Sequence, residues 1–225
     1  MAHTPLVSRI PICIFAKPPI PGRVKTRLAQ SIGRAQAAKL AAAMLRDVWS
    51  VVESLAEAIP VLAAAEAGDF AIHVPDDRVW LQQSGDLGLR IECILRRGLE
   101  TGPAAIALGA DTPLVTSAHL IQAIDCLKSE NAVIGPCDDG GFYLLGVRRC
   151  PPGLLSGINW STEHTLRETE LRLRAHEMNA PRIPNLFDVD TVVDLPRLRS
   201  ELRNSPPDAA PQTRQWLGET IWSAS

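Results

Sequence analysis

The sequence predicts one α/β domain whose sheet is covered by helices on both faces. Three observations predict it. Short apolar runs of strand length alternate with longer stretches of helical periodicity, the pattern of a sheet built from strand–helix units. Polar clusters follow several of those runs, and ligands of such sheets sit at the carboxyl ends of strands. The length, 225 residues, fits one such domain better than two.

The elements follow in order. Ile10 to Ala16 is an apolar run ended by Lys-Pro-Pro, and it reads as a buried strand. Pro18, Pro19, Pro21 and Gly22 then make a stiff loop. From about Arg34 to Ala58 the apolar positions, among them Leu40, Met44, Leu45 and Val48, keep helical spacing. Val61 to Ala65 and Phe70 to Val74 read as strands, and Trp80 to Gln83 as a shorter third. Asp86 is placed to cap a helix from Leu87 to about Thr101. Ala104 to Gly109 is the next strand, and Thr116 or Ser117 opens a helix to about Leu127. Ala132 to Gly135 and Phe142 to Val147 are strands on either side of Asp138-Asp-Gly-Gly141. Ser161 or Thr162 opens a helix to about Glu177, and a last helix is expected over Val192 to Leu202. The domain is thus expected over 1–204, with 205–225 a loose, proline-containing tail that Trp216 and Trp222 can dock.

Composition narrows the function classes. Hydrophobic residues make up 46% of the chain, enough for a sizeable core. A net charge of −2 argues against broad nucleic-acid or membrane-surface binding, which need a basic excess. The five cysteines are odd in number and form no Cys-x-x-Cys, so neither a disulfide framework nor a structural zinc site is expected. The apolar segment Ile10 to Ala16 is too short to span a bilayer and lacks the flanks of a signal peptide, so a cytoplasmic location is expected. His3, His73, His119, His164 and His176 show no metal-ligand spacing, and no Gly-x-Ser-x-Gly element occurs.

Four clusters carry chemistry. The first, Lys17 to Leu28, lies between a strand and a helix. It holds two of the four lysines, Lys17 and Lys25, together with Arg27, and Gly22 lets the backbone approach a ligand closely. Cationic side chains on such a loop suit a phosphate chain, although no Walker sequence is present. In the second, Asp111 at the end of a buried strand is placed to hold a hard cation, or to act as a turn or cap residue. In the third, Asp138-Asp139-Gly140-Gly141 suits a metal, sugar hydroxyls or a hairpin turn. In the fourth, Asp188 and Asp190 share one side of an extended segment, and Asp190 also suits a helix cap.

Taken together, these segments resemble a bacterial GT-A-type glycosyltransferase-like family, the radical-SAM/selenodomain-associated transferases, also labelled arsenosugar biosynthesis glycosyltransferases. The segments that carry the likeness are Phe15 to Leu28, Gln83 to Gly88, Leu108 to Leu114, Gly135 to Gly146, Trp160-Ser-Thr162 and Asp188 to Thr191. The first also resembles 2-phospho-L-lactate guanylyltransferase and, more distantly, other nucleotidyltransferases. The resemblance implies a Rossmann-like GT-A fold, a mostly parallel mixed sheet with helices on both faces. It further implies a nucleotide or nucleotide sugar bound with Mg²⁺ or Mn²⁺. Lys17, Gly22, Lys25, Thr26, Arg27 and Asp86 would then lie on the nucleotide side, Asp111 and Asp190 at the metal, and Asp138, Gly140, Gly141, Trp160 and Thr162 toward the sugar or acceptor. Asp111 and Asp139 would be the catalytic carboxylates, Asp139 as the candidate base.

Two enzymatic readings follow. One is a glycosyltransferase using a nucleotide-diphosphate sugar and a small-molecule acceptor. The other is a nucleotidyltransferase that joins a nucleoside monophosphate to a small acceptor and releases pyrophosphate. A nucleotide-sensing module without turnover is the non-enzymatic alternative.

Overall fold

The computed structural model describes residues 9–219. Six strands form one sheet: β1 (Ile10–Ala16), β2 (Ala58–Ala64), β3 (Val79–Leu81), β4 (Ala105–Gly109), β5 (Ala132–Pro136) and β6 (Phe142–Val147). Their order across the sheet is β3-β2-β1-β4-β6-β5. The β1–β2, β1–β4 and β2–β3 pairs are parallel, while β6 runs antiparallel to both β4 and β5. The expected mixed, mostly parallel sheet is therefore present.

Seven α-helices accompany it among the described residues: α1 (Thr26–Ile32), α2 (Arg34–Glu53), α3 (Leu87–Leu99), α4 (Ser117–Ser129), α5 (Thr165–Ala175), α6 (Asp194–Asn204) and α7 (Pro211–Glu219). Alternation along the strands explains why both faces need a cover. Ile12 and Ile14 of β1, with Ile106 and Leu108 of β4, pack on Leu45, Val48 and Val52 of α2 and Leu120, Ile124 and Leu127 of α4. Their neighbours Ala105 and Ala107 face the other way, with Ile91 and Leu95 of α3 and Leu173 of α5. The opposite side of α2 is apolar as well. Leu40 and Met44 meet Leu28 of α1, Leu195, Leu198 and Leu202 of α6, and Trp216 and Leu217 of α7.

Several expectations need correction. Phe70–Val74 is not a strand: Asp69 accepts a hydrogen bond from the Ala71 amide, and Ala71 turns at φ 57°, which breaks an extended run after the buried Phe70. The tail beyond residue 205 is not loose over its described part. It forms α7, whose first N–H groups, those of Gln212 and Thr213, donate to the buried carboxylate of Asp47 on α2. Trp216 docks it, 5% exposed, whereas Trp222 and His3 lie outside the described residues. α5 begins at Thr165 rather than near Ser161, because the Thr162 hydroxyl is taken up in a local turn, donating to the Asn159 carbonyl. The five cysteines are free thiols. No helix among the described residues is long and apolar enough to cross a membrane.

One stretch with no strand signal matters for the site. The chain after α5 runs beside β5, exchanging backbone hydrogen bonds through Pro181, Ile183 and Leu186, and covers the outer edge of the sheet. It then crosses the end of the sheet, where the Val189 amide donates to the Asp111 carbonyl.

Candidate active site

Strand order reverses between β1 and β4, where the connection from β1 leads to β2 on one side while β4 lies on the other. A crevice opens at such a switch point. A cavity of about 450 Å³ occupies this position. Each strand that borders it contributes its last residues or the ones just after: Phe15, Ala16 and Lys17 from β1, Ala65 after β2, Gln82 after β3, Ala110 and Asp111 after β4. Arg23, Lys25, Thr26 and Arg27 close it from the loop entering α1, and Asp190 from the segment that crosses the sheet end.

The loop owes its shape to local rules. Its prolines stiffen it, Gly22 turns at φ 84°, and the Arg34 side chain packs against that glycine. Lys25, the residue before α1, adopts the left-handed region at φ 46° and ψ 46°, unusual for a residue with a side chain. That conformation accompanies a buried ammonium. The Lys25 side chain is 4% exposed, and its Nζ lies 2.8 Å from Oδ1 of Asp111 and 2.8 Å from Oδ1 of Asp190. Burial alone would lower the Lys25 pKa; the two carboxylate charges and hydrogen bonds outweigh it and hold the ammonium above the usual lysine range.

The carboxylates are about half exposed, 53% for Asp111 and 47% for Asp190, so each keeps a solvent-facing side. Asp190 is not a helix cap. Instead Asp194, in the first turn of α6, accepts from the Asp190 and Thr191 amides and from the Thr191 hydroxyl, which fixes the turn carrying Asp190. Behind the pair, Asp188 accepts from the Thr112 hydroxyl at 2.6 Å and the Cys137 thiol at 3.4 Å. Its burial, with the nearby Asp111 charge adding to it, pushes the Asp188 pKa up to about 6. Among the described residues no group of three His, Cys, Asp or Glu side chains is placed to hold a metal by itself.

The cavity thus gathers Lys17, Lys25, Thr26, Arg27, Asp111 and Asp190 of the predicted site. It also gathers residues that the sequence reading missed. Arg23 is anchored by Glu66 at 2.8 Å. Arg90, on α3, donates to Gln82, whose own amide group donates to the Ala63 carbonyl. The spacing of Arg90 from the Asp86 cap, one helical turn, was the available signal for it.

The other predicted residues do not line this cavity. Gly22 serves the loop turn. Asp86 caps α3, accepting from the Leu89 amide at 2.8 Å. Asp138 is tied to Arg197 of α6 and to Asn185. Asp139, the candidate base, accepts from the Gly141 amide and shapes the β5–β6 turn. Gly140, at φ 83°, packs so closely on Glu163 that an added Cβ would lie 2.3 Å from its carbonyl oxygen. Trp160 packs edge-on against Phe142 and over Gly88. Gly140 and Trp160 thus pack the β5–β6 turn and α3 against the loop before α5, while Asp138, Asp139 and Thr162 stay exposed beside them.

The sheet order, the antiparallel β6 and the crevice at the end of β1 define the Rossmann-like fold of nucleotide-diphospho-sugar transferases and cytidylyltransferases. The chain belongs to the DUF2064 family, described as an uncharacterized protein conserved in bacteria, which it matches over residues 39–162. Among solved structures, it is similar to a protein of Desulfovibrio desulfuricans G20 provisionally described as a nucleotide-diphospho-sugar transferase. Identity is 28%, the TM-score 0.78, and the match covers 92% of this chain and 97% of that one. CMP:2-keto-3-deoxy-manno-octonic acid synthetase, solved with CTP, matches at 13% identity and a TM-score of 0.57, over 88% and 99% of the two chains. A cytidylyltransferase of Leptospira borgpetersenii serovar Hardjo-bovis matches at 15% and 0.54, over 96% and 100%. At that identity the last two establish the fold alone. No curated protein matches the chain.

Proposed function

We propose that this chain is a metal-assisted transferase that binds a nucleotide at the carboxyl ends of β1 and β4, and that its donor is a nucleotide-diphosphate sugar. The observation that carries the reading is the Lys25–Asp111–Asp190 cluster set beside a cavity rimmed by Lys17, Arg23, Arg27 and Arg90. The likeness to the Desulfovibrio protein, at 28% identity over nearly the whole chain, supports a sugar nucleotide as donor.

The chemistry follows from the side chains. Lys17, Arg23 and Arg27 bind and orient the diphosphate through charged hydrogen bonds. Asp111 and Asp190 suit a divalent cation of the Mg²⁺ or Mn²⁺ type: both present oxygens to one point and both keep solvent access. Such ions are held by one or two carboxylates, with phosphate and water completing the shell. When bound there, the ion would neutralise charge on the departing nucleoside diphosphate. The arginines stabilise the same charge from the other flank. Positioning and charge carry the step, and the reading assigns no protein base.

A second reading, nucleotidyl transfer, has its own observation. The cavity is lined by five cationic side chains against two carboxylates. Even with Arg23 partly neutralised by Glu66, this surplus suits the higher charge of a nucleoside triphosphate. Product analysis separates the two. Purified protein is incubated with Mg²⁺ or Mn²⁺ and panels of sugar nucleotides and nucleoside triphosphates. Release of nucleoside diphosphate supports glycosyl transfer, and release of pyrophosphate replaces it with nucleotidyl transfer. Tight binding without either product would make the chain a nucleotide-binding module.

A further inference from the structure

The two oxygens best placed to hold a metal already hold a cation. Oδ1 of Asp111 and Oδ1 of Asp190 each lie 2.8 Å from the same Lys25 Nζ. A divalent ion needs carboxylate oxygens at shorter range than an ammonium does, about 2.0–2.1 Å for Mg²⁺. It cannot share that point with a positive charge. Resting on the functional reading above, we propose that Lys25 is an internal counter-cation that keeps the Asp111–Asp190 pair closed to a metal until a phosphate group recruits the ammonium away.

The surroundings decide how the ammonium can leave. Departure into bulk water is opposed by two ion pairs that the side chain makes in a nearly buried position. A second anion within reach is required, and Lys25 also lines the cationic cavity where the phosphates would sit. A lysine suits this exchange, because a compact charge on a flexible stem can turn from one acceptor to another. Lys25 also holds a left-handed backbone conformation, the kind of uphill geometry that functional positions retain. The consequence is coupling: phosphate binding frees the carboxylates, and metal binding in turn leaves the ammonium to the phosphates. A metal-free, ligand-free chain then keeps its acidic pair satisfied.

The experiment is a Mn²⁺ titration of the full chain followed by electron paramagnetic resonance, with metal alone and no nucleotide. It compares wild type with Lys25→Met, Lys25→Gly and Lys25→Arg. Lys25→Gly removes the side chain at a backbone conformation that glycine adopts freely, which guards against misfolding of the methionine variant. Lys25→Met and Lys25→Gly should bind Mn²⁺ at least about tenfold more tightly than wild type, and Lys25→Arg, which keeps the charge, should not. Unchanged or weaker Mn²⁺ binding in both neutral variants, folded by circular dichroism, overturns the proposal. Adding Asp111→Asn to each protein separates the two levels. If that change weakens Mn²⁺ binding to wild type while neutral Lys25 variants gain nothing, only the counter-cation role fails. If it alters Mn²⁺ binding in none of them, the metal site itself falls, and the proposal with it.

Discussion

The Thr112 hydroxyl donates a 2.6 Å hydrogen bond to Oδ1 of Asp188, 76 residues further along the chain. Thr112 adjoins Asp111 and Asp188 lies two residues before Asp190, so this bond sets the spacing of the two site carboxylates. Burial of Asp188 raises its pKa to about 6, against the Thr112 hydrogen bond, which favours the carboxylate. The folded state therefore binds the Asp188 proton more tightly than the unfolded chain, where an aspartate titrates near about 3.9. The stabilisation from that proton is fully present at low pH and is lost as pH rises from about 4 to about 6. Asp188→Asn keeps an acceptor for Thr112 but has no proton to lose. In metal-free buffer its stability relative to wild type should rise through this window and then level, by at most about 2 kcal/mol once solvent screening is allowed for. Urea unfolding at pH 4, 5, 6 and 7 measures it. A difference that does not vary with pH would assign the titration elsewhere.

Gly140 and Gly157 make a controlled comparison. Both have positive φ, 83° and 75°, but a Cβ at Gly140 would strike the Glu163 carbonyl at 2.3 Å, whereas nothing lies within 4 Å at Gly157. Gly157→Ala carries only the backbone strain, about 1 kcal/mol. Gly140→Ala adds a clash with backbone and threatens the Leu166 amide bond to the Gly140 carbonyl, so it should cost about 3 kcal/mol or more. At roughly 2–4 °C per kcal/mol for a chain of this size, thermal unfolding separates them. Equal shifts would show that the β5–β6 turn yields where the structure shows tight packing.

Asp47 is the anchor of α7. Its two carboxylate oxygens accept the Gln212 and Thr213 amides at 3.0 and 2.8 Å, with 3% of the residue exposed. Asp47→Ala leaves two helix-start amides without acceptors and should destabilise the protein by about 1–3 kcal/mol. Limited proteolysis should then cut within 205–219 before the rest of the chain. Cleavage beginning elsewhere would mean that Trp216 and Leu217 hold α7 without the cap.

What the sequence revealed and what it hid have separate physical causes. β1 and β6 were legible to the residue because an apolar run bounded by Lys-Pro-Pro or Gly-Gly has one reading in a two-faced sheet. The convergence of the Lys17–Leu28 loop with Asp111 and Asp190 was legible because each adjoins the carboxyl end of the sheet. α1 was missed because it has seven residues, sits between a proline loop and Gly33, and is stabilised by Leu28 packing on α2. Phe70–Val74 was misread because burial of one aromatic resembles a strand until the Asp69 turn is seen. Arg23, Gln82 and Arg90 come from three segments that meet only when β2 and β3 end beside β1. No local pattern encodes that meeting. The same holds for the Lys25 ammonium, which composition marked as cationic but which only the folded chain places between two acids.

Arg27 and Asp111 should fail in different ways. Both line the cavity, Arg27 from the start of α1 and Asp111 from the end of β4. Arg27→Ala removes a cation that can meet phosphate whether or not a metal is present. Nucleotide affinity should fall about tenfold in both EDTA and Mg²⁺. Asp111→Asn removes a charge that repels phosphate in the absence of metal and holds the ion in its presence. In EDTA its affinity should be unchanged or tighter, the Mg²⁺ enhancement should vanish, and turnover should drop on the order of a hundredfold. Lys25 stays paired with Asp190 in this variant, so the fold should survive the change. Calorimetry with the nucleotide diphosphate that gives the largest thermal shift measures affinity, and product release measures turnover. If Asp111→Asn kept the full Mg²⁺ enhancement, the ion would bind without this carboxylate, and the site as assigned here would be wrong.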